Sequence, residues 1–387
     1  MKGLVSLLAF FTVCVLCLLE LFMSSRFTSL WLDAASTKTP VSQRRAVAVF
    51  VDSVAHMYGL YSIRSRMETL GISDSIRLAV VVDRAFTNAN STTYQAWQVL
   101  NEWIEPVDLH VVDKQLIREK LINPRRGLWV PVFNKMWMFS LADSYDKILM
   151  LDLDVLIRKD IRRWFDNYEA PAATQAGDAI EWNSGVMLIE PNAAVFERMM
   201  QLLPHVQSFQ PEKLQPEDPA KAETIRDPLN SSYHDQGFLS AFFTAPSDAR
   251  HPMRMKTLPT EAAILSSRLA QPSYQYFAVC RRHIFETVHF TAWKPFVAVE
   301  DKRRLPRHPV VCDMLREWYD SIQGLDTYDL GDQAGNADWI LQGRFLAACP
   351  EPATFSHNRP MCNPQLRGHP LASLDMNQYP MKRHVVY

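Results

Sequence analysis

Glycine is scarce in this chain, 12 residues in 387 against 24 prolines. No G-x-G-x-x-G run occurs, so a conventional dinucleotide cradle at a helix start is not expected. An excess of positive charge is missing as well. Lys and Arg number 41 against 42 Asp and Glu, for a formal net charge of −1. That leaves nothing in surplus to neutralise a phosphate backbone, which argues against a nucleic-acid binder. There is no internal repeat and no low-complexity tract, and Cys280, Cys312, Cys349 and Cys362 are spaced like no zinc site.

What is present is globular: 48% hydrophobic and 21% charged residues, in a chain long enough for one large or two ordinary domains. The N-terminus differs. Residues 4–23 are apolar apart from small polar residues and Glu20, long enough as a helix to cross about 30 Å of hydrocarbon. The run exceeds a usual signal-peptide core and no small-x-small site follows closely, so a signal anchor is favoured over a cleaved signal peptide. Asn90-Ser91-Thr92 and Asn230-Ser231-Ser232 are glycosylation sequons. Cys14 and Cys17 lie in the apolar run, which leaves Cys280, Cys312, Cys349 and Cys362 for the body. These four allow three pairings, of which Cys349 with Cys362 is the most local, or they are free buried thiols. Together these features predict a single-pass type II membrane protein with its body in the lumen of the Golgi or ER.

Residues 24–45 read as a short stem, and strands then alternate with helices. Strands are expected at 46–51, 78–82, 107–112, at the apolar run ending near Met150, at 186–189 and at 284–290. Helices are expected at 58–70 with Gly71 as its stop, 92–103, 134–141, 160–168, 192–203 and 237–243. Such alternation implies parallel pairing through right-handed crossovers. Residues 205–232, rich in Pro, Glu and Lys, read as a long surface insertion that either shapes a substrate site or is simply a glycosylated loop. Beyond Pro350 there is little periodicity, so 351–387 is expected to be an irregular tail and 46–350 the folded domain.

The chemistry begins at Leu151-Asp152-Leu153-Asp154, at the carboxyl end of an apolar strand, where open α/β sheets place their ligands. Alternation would put both carboxylates on one side of an extended segment, converging on a point suited to a divalent cation. Three segments follow: Asn183-Ser184-Gly185 leading into Val186–Ile189, then Asp235-Gln236-Gly237, then His289-Phe290-Thr291-Ala292-Trp293-Lys294-Pro295-Phe296. In this order and spacing they resemble glycosyltransferase family 8, the glycogenin-like retaining enzymes, over about residues 46–296.

The resemblance implies a GT-A fold, a Rossmann-like, mixed but mainly parallel sheet flanked by helices. It also implies roles. Asp152, Asp154 and His289 match the metal ligands, and their nitrogen donor favours Mn²⁺ over the harder Mg²⁺. Lys294 matches a lysine that reaches the donor phosphates, and Lys135 a second donor-binding lysine, unless it is an ordinary surface residue. Asn183 and Ser184 would face the sugar hydroxyls from a polar turn entering the strand, with Gly185 letting backbone approach the sugar. Asp235 would hold the transferred sugar with Gln236 near its anomeric carbon, or Asp235 would merely cap a helix. His56 stands in the base-cradling loop, residues 52–59, where relatives often have Tyr. Ala292 and Phe296 replace a common Gly and Trp.

The implied activity is transfer of a hexose from a UDP-sugar to a glycan, glycoprotein or glycolipid, with UDP-glucose as first candidate and UDP-N-acetylglucosamine, UDP-galactose and UDP-glucuronate open. A front-face substitution is implied, with double displacement through Asp235 or Gln236 as the alternative. A self-glucosylating primer and a catalytically dead, membrane-anchored carbohydrate-binding or scaffold protein are the competing functions.

Overall fold

The computed structural model describes residues 44–88, 98, 107–121, 131–175, 182–205, 235–244, 254–269, 282–291, 294–295 and 309–322. Apart from Arg44, all of these fall in one compact unit, Arg45–Tyr387. The apolar run at 4–23, both sequons, the helix expected at 92–103 except for residue 98, and the 205–232 insertion except for His205 lie outside the described residues, as does the tail. Among the described residues no helix is long and apolar enough to cross a membrane.

The strands of the main sheet are β1 (Arg45–Val51), β2 (Arg77–Asp83), β3 (Asp108–Val112), β4 (Lys147–Leu151), β6 (Ala172–Gln175), β7 (Trp182–Ile189) and β8 (Lys256–Thr257), ordered β3-β2-β1-β4-β7-β6-β8. β1 pairs in parallel with β2 and β4, and β2 with β3, while β7 runs antiparallel to β4 and β6. The sheet is therefore mixed, as the resemblance implied. Three short strands form a second sheet: β5 (Val155–Ile157), β9 (Ala263–Leu265) and β10 (Thr287–His289), with β10 between the other two.

Alternation along the central strands builds a core on each face. Val47, Val49 and Val51 of β1, Leu149 and Leu151 of β4, and Val186 and Leu188 of β7 face one layer. Ala46, Ala48, Ile148, Met150, Met187 and Ile189 face the other. The first layer is closed by α1 (Val54–Thr69) and by α7 (Pro309–Asp320). A 3-10 helix (Pro131–Asp143), α4 (Ala193–Leu202) and α5 (Asp235–Thr244) close the second. Fully burying each of these Val, Leu, Ile and Met side chains contributes about 1.5–3 kcal/mol. The remaining helices are short: α2 (Lys114–Lys120), α3 (Arg162–Asn167) and α6 (Ser266–Leu269).

Several elements depart from the sequence expectations. α1 starts one turn earlier than 58, because the Ser53 hydroxyl accepts from His56 N–H and caps it. The segment expected as a helix at 134–141 is a 3-10 helix, and the strand expected at 284–290 is only Thr287–His289, preceded by a turn of 3-10 helix. Asn183-Ser184-Gly185 does not form a turn before a strand; it lies inside β7, because Leu151 pairs with Val186 and Gly185 C=O accepts from Asp152 N–H at 2.8 Å, so the ladder with β4 continues past Val186. Cys312, buried in α7, is disulfide-bonded to a cysteine outside the described residues, so the body does not carry four free thiols.

Gly59, within α1, packs against the backbone of Leu153, in the turn between β4 and β5. A Cβ there would sit 2.1 Å from the carbonyl oxygen of Leu153 and 2.8 Å from its carbonyl carbon. Alanine ordinarily gains about 1 kcal/mol over glycine inside a helix. Here the contact is with backbone, which cannot swing away, and overpacking of this kind costs about 1–3 kcal/mol. Gly59→Ala is therefore expected to lower the thermal midpoint, the opposite of the helix-propensity outcome. A melting curve decides between the two signs.

Candidate functional site

Asp152 follows the last residue of β4, and Asp154 precedes the first residue of β5, so the segment between them links the two sheets. The two carboxylates do not meet by strand alternation. The strand ends at Leu151, and Asp152-Leu153-Asp154 is a turn closed by Val155 N–H donating to Asp152 C=O at 3.2 Å. Leu153 is buried against Gly59, which holds the turn from beneath.

The third group arrives from the small sheet. His289 ends β10, where it pairs with Val155 of β5 and Leu265 of β9, and Phe290 N–H donates to Asp154 C=O at 2.9 Å. Its imidazole Nε2 lies 3.3 Å from Asp154 Oδ2 and 3.6 Å from Asp152 Oδ2, and it makes no hydrogen bond. One ligand atom from each residue falls within 4.8 Å of the others. Neighbouring ligands about 2.0–2.6 Å from a shared cation would stand about 3 to 3.5 Å apart. Two carboxylate oxygens and a buried ring nitrogen without a hydrogen bond, at this spacing, fit a divalent ion.

Gly185 lies beneath this group. A Cβ on it would stand 2.1 Å from His289 Cε1 and 2.8 Å from Asp152 Oδ2, so the absence of a side chain makes room for the imidazole and the carboxylate. Its expected role at the sugar is thus joined by one at the carboxylate–imidazole cluster.

Two lysines flank the carboxylates. Lys135 comes from the 3-10 helix and is buried, not a surface residue, with Nζ 2.7 Å from Asp152 Oδ1 and 2.8 Å from Asp235 Oδ2. Burial would lower its pKa, but the two aspartates outweigh that and hold it raised. Lys294 donates to Asp154 Oδ2 from the more open side. Burial would raise the Asp154 carboxyl, yet Lys294 and then His289 hold it well below the usual carboxylate range. The Lys294 ammonium is correspondingly raised: burial opposes this, and Asp154 and Asp152 outweigh it.

Asp235 is the first residue of α5, and its Oδ2 accepts from Ser184 Oγ at 2.6 Å besides pairing with Lys135. Ser184 thereby joins the sheet to the helix, and Gln236, half-buried, follows on α5. Asn183 points at His289, with its Oδ1 3.0 Å from His289 Nδ1. Every residue expected at the site from the sequence is thus found around the two aspartates except Gln236, for which only its place beside Asp235 is described. His56, expected in a loop over 52–59, lies instead in the first turn of α1, from where it contacts Asp52. Ala292 and Phe296 lie outside the described residues.

Sequence reasoning missed the part played by Gly59, which packs against Leu153 between the two aspartates; a helical glycine in a glycine-poor chain is the signal that could have found it.

No protein-family model matches the chain. Among curated proteins it is 39% identical over 79 residues to a glycogenin of Komagataella phaffii, covering 19% of this chain and 19% of that protein. It is 27% identical over 169 residues to UDP-glucuronate:xylan alpha-glucuronosyltransferase 1 of Arabidopsis thaliana, covering 43% of this chain and 23% of that one. It is 30% identical over 149 residues to inositol phosphorylceramide glucuronosyltransferase 1 of the same plant, covering 36% and 22%. The matches thus span about a fifth of each relative's length. Among solved structures, the galactosyltransferase LgtC with donor and acceptor sugar analogs aligns over 75% of this chain and 99% of its own, at 16% identity and a TM-score of 0.44. The bifunctional glycosyltransferase WbbM aligns over 78% and 53%, at 13% identity and 0.48. The curated relatives bear out the resemblance to the glycogenin-like glycosyltransferases read from the four motifs.

Proposed function

We propose that this protein is a metal-dependent, retaining glycosyltransferase that moves a hexose from a UDP-sugar to a glycan-type acceptor. The observation that carries the reading is the convergence of Asp152, Asp154 and His289 at the carboxyl end of β4, bracketed by Lys135 and Lys294. When bound, a divalent cation, Mn²⁺ by the nitrogen in the donor set, would offset the charge of the departing diphosphate.

The chain's own residues do the rest. Lys294, the more exposed of the two lysines, is free to leave Asp154 and meet a phosphate oxygen. Lys135 and Ser184 hold the Asp235 carboxylate in place, where it would accept from a hydroxyl of the transferred sugar. In a front-face substitution the anomeric carbon–phosphate oxygen bond breaks as the acceptor oxygen bonds that carbon from the same side. The acceptor proton passes to the departing phosphate. Double displacement through Asp235 or Gln236 is the alternative, and for Asp235 the fixed pairing with Lys135 and Ser184 weighs against it.

UDP-glucose remains the first donor candidate. UDP-glucuronate stands beside it because two of the relatives carry glucuronosyl transfer in their names. The body is assigned to the lumen of the Golgi or ER, with 1–23 as anchor, 24–45 as stem and 46–350 as catalytic domain; the disulfide at Cys312 supports an oxidising compartment. A self-glucosylating primer is the second reading, favoured by the glycogenin match and opposed by that disulfide.

The test is donor hydrolysis and transfer by the full chain over a panel of UDP-sugars, with and without Mn²⁺. Mn²⁺-dependent turnover of one donor is expected and would name the sugar. No turnover together with no Mn²⁺-dependent UDP binding would overturn the enzyme reading in favour of a scaffold.

A further inference from the structure

We infer that Asn183 is the positioning residue that aims His289 at the metal site, an inference that rests on the metal-dependent reading above. The sequence placed Asn183 among sugar contacts. In the fold its amide oxygen meets the His289 ring.

The orientation of that amide is fixed by chemistry. Gly185 N–H donates to Asn183 Oδ1 at 3.2 Å, and a backbone N–H accepts nothing, so the oxygen and not the nitrogen lies on this side. The same oxygen is 3.0 Å from His289 Nδ1. Facing an acceptor, Nδ1 must carry the proton. In the neutral imidazole Nε2 then presents its lone pair, as a metal ligand requires. Nε2 is the ring atom that makes no hydrogen bond and lies beside Asp152 and Asp154.

The arrangement is also sterically enforced. Asn183 and His289 are both buried, and the absence of a Cβ on Gly185 leaves the imidazole its place. Since β7 carries Asn183 and Gly185 while β10 carries His289, the amide also joins the large sheet to the small one at the site.

A partner at the far nitrogen of a metal-bound histidine sets metal affinity by about 10- to 100-fold. The test is titration of the full chain with Mn²⁺, free ion being followed by electron paramagnetic resonance, alongside a melting curve. Asn183→Leu keeps the side-chain size and removes the acceptor, and should weaken Mn²⁺ binding about 10- to 100-fold. Asn183→Asp restores an acceptor at Nδ1 and should restore binding. If the Leu variant melts early, Asn183→Ala is read in its place against the same Asp variant. Unchanged binding in the chain without an acceptor overturns the inference, and so does equally weak binding in Asn183→Asp. Absence of Mn²⁺ binding by the unaltered chain would instead sink the metal-dependent reading itself, and the two failures are told apart by that one control.

Discussion

Replacing Asp154 by Asn is expected to lower Mn²⁺-dependent turnover of the UDP-sugar donor by about 10³-fold, the scale of losing a group that stabilises developing charge. Asn keeps the shape of the side chain and removes its charge. Asp154 is buried, faces His289 Nε2 at 3.3 Å and holds Lys294. Asp152 alone would leave the cation with one carboxylate and one imidazole. The fold should survive, because the backbone contact from Phe290 N–H to Asp154 C=O does not involve the side chain. The checking measurements are initial rates across Mn²⁺ concentrations, plus a melting curve for each chain. Turnover comparable to the unaltered protein, with Mn²⁺ still required, would remove Asp154 from the metal set.

The parts of this site that were legible in the sequence are those encoded locally. A run of continuous apolar residues followed by Asp marks the carboxyl end of a buried strand, so Asp152 and Asp154 could be found from 147–154 alone. The turn that makes them converge could not. It depends on Gly59 admitting the Leu153 carbonyl and on Gly185 accepting from Asp152 N–H, contacts from distant parts of the chain. Asn183 could be assigned to the site by motif but not to its partner, which lies 106 residues further on. β5, β9 and β10 have three residues each, too few for a period to register, and they are specified by pairing with one another. Lys135 could be read from the sequence as a donor-binding lysine or as an ordinary surface one, and its burial is intelligible only once Asp152 and Asp235 close on it.

That burial makes Lys135→Met the substitution with the largest expected effect on stability. Methionine preserves the length and apolar stem while removing the ammonium. Asp235, itself buried, would keep the hydrogen bond from Ser184 Oγ but lose its ion pair with Lys135, and Asp152 would lose its contact at 2.7 Å. Breaking a buried pair from one side costs about 3–5 kcal/mol, because a charge is left without compensation. Asp152 keeps 28% of its side chain exposed, so the lower end, about 3 kcal/mol, is expected. The sign of the pH dependence follows from the raised pKa of Lys135. A lysine whose folded pKa lies above its unfolded value, about 10.4, contributes stability that is complete below that value and is lost as pH rises through the folded one. The difference between the two chains should therefore be flat from about pH 6 to 9 and shrink only above about pH 10.4. Denaturant unfolding of both chains at neutral and at alkaline pH measures it. A difference that grew with pH across the neutral range would mean that a group other than Lys135 compensates the two aspartates.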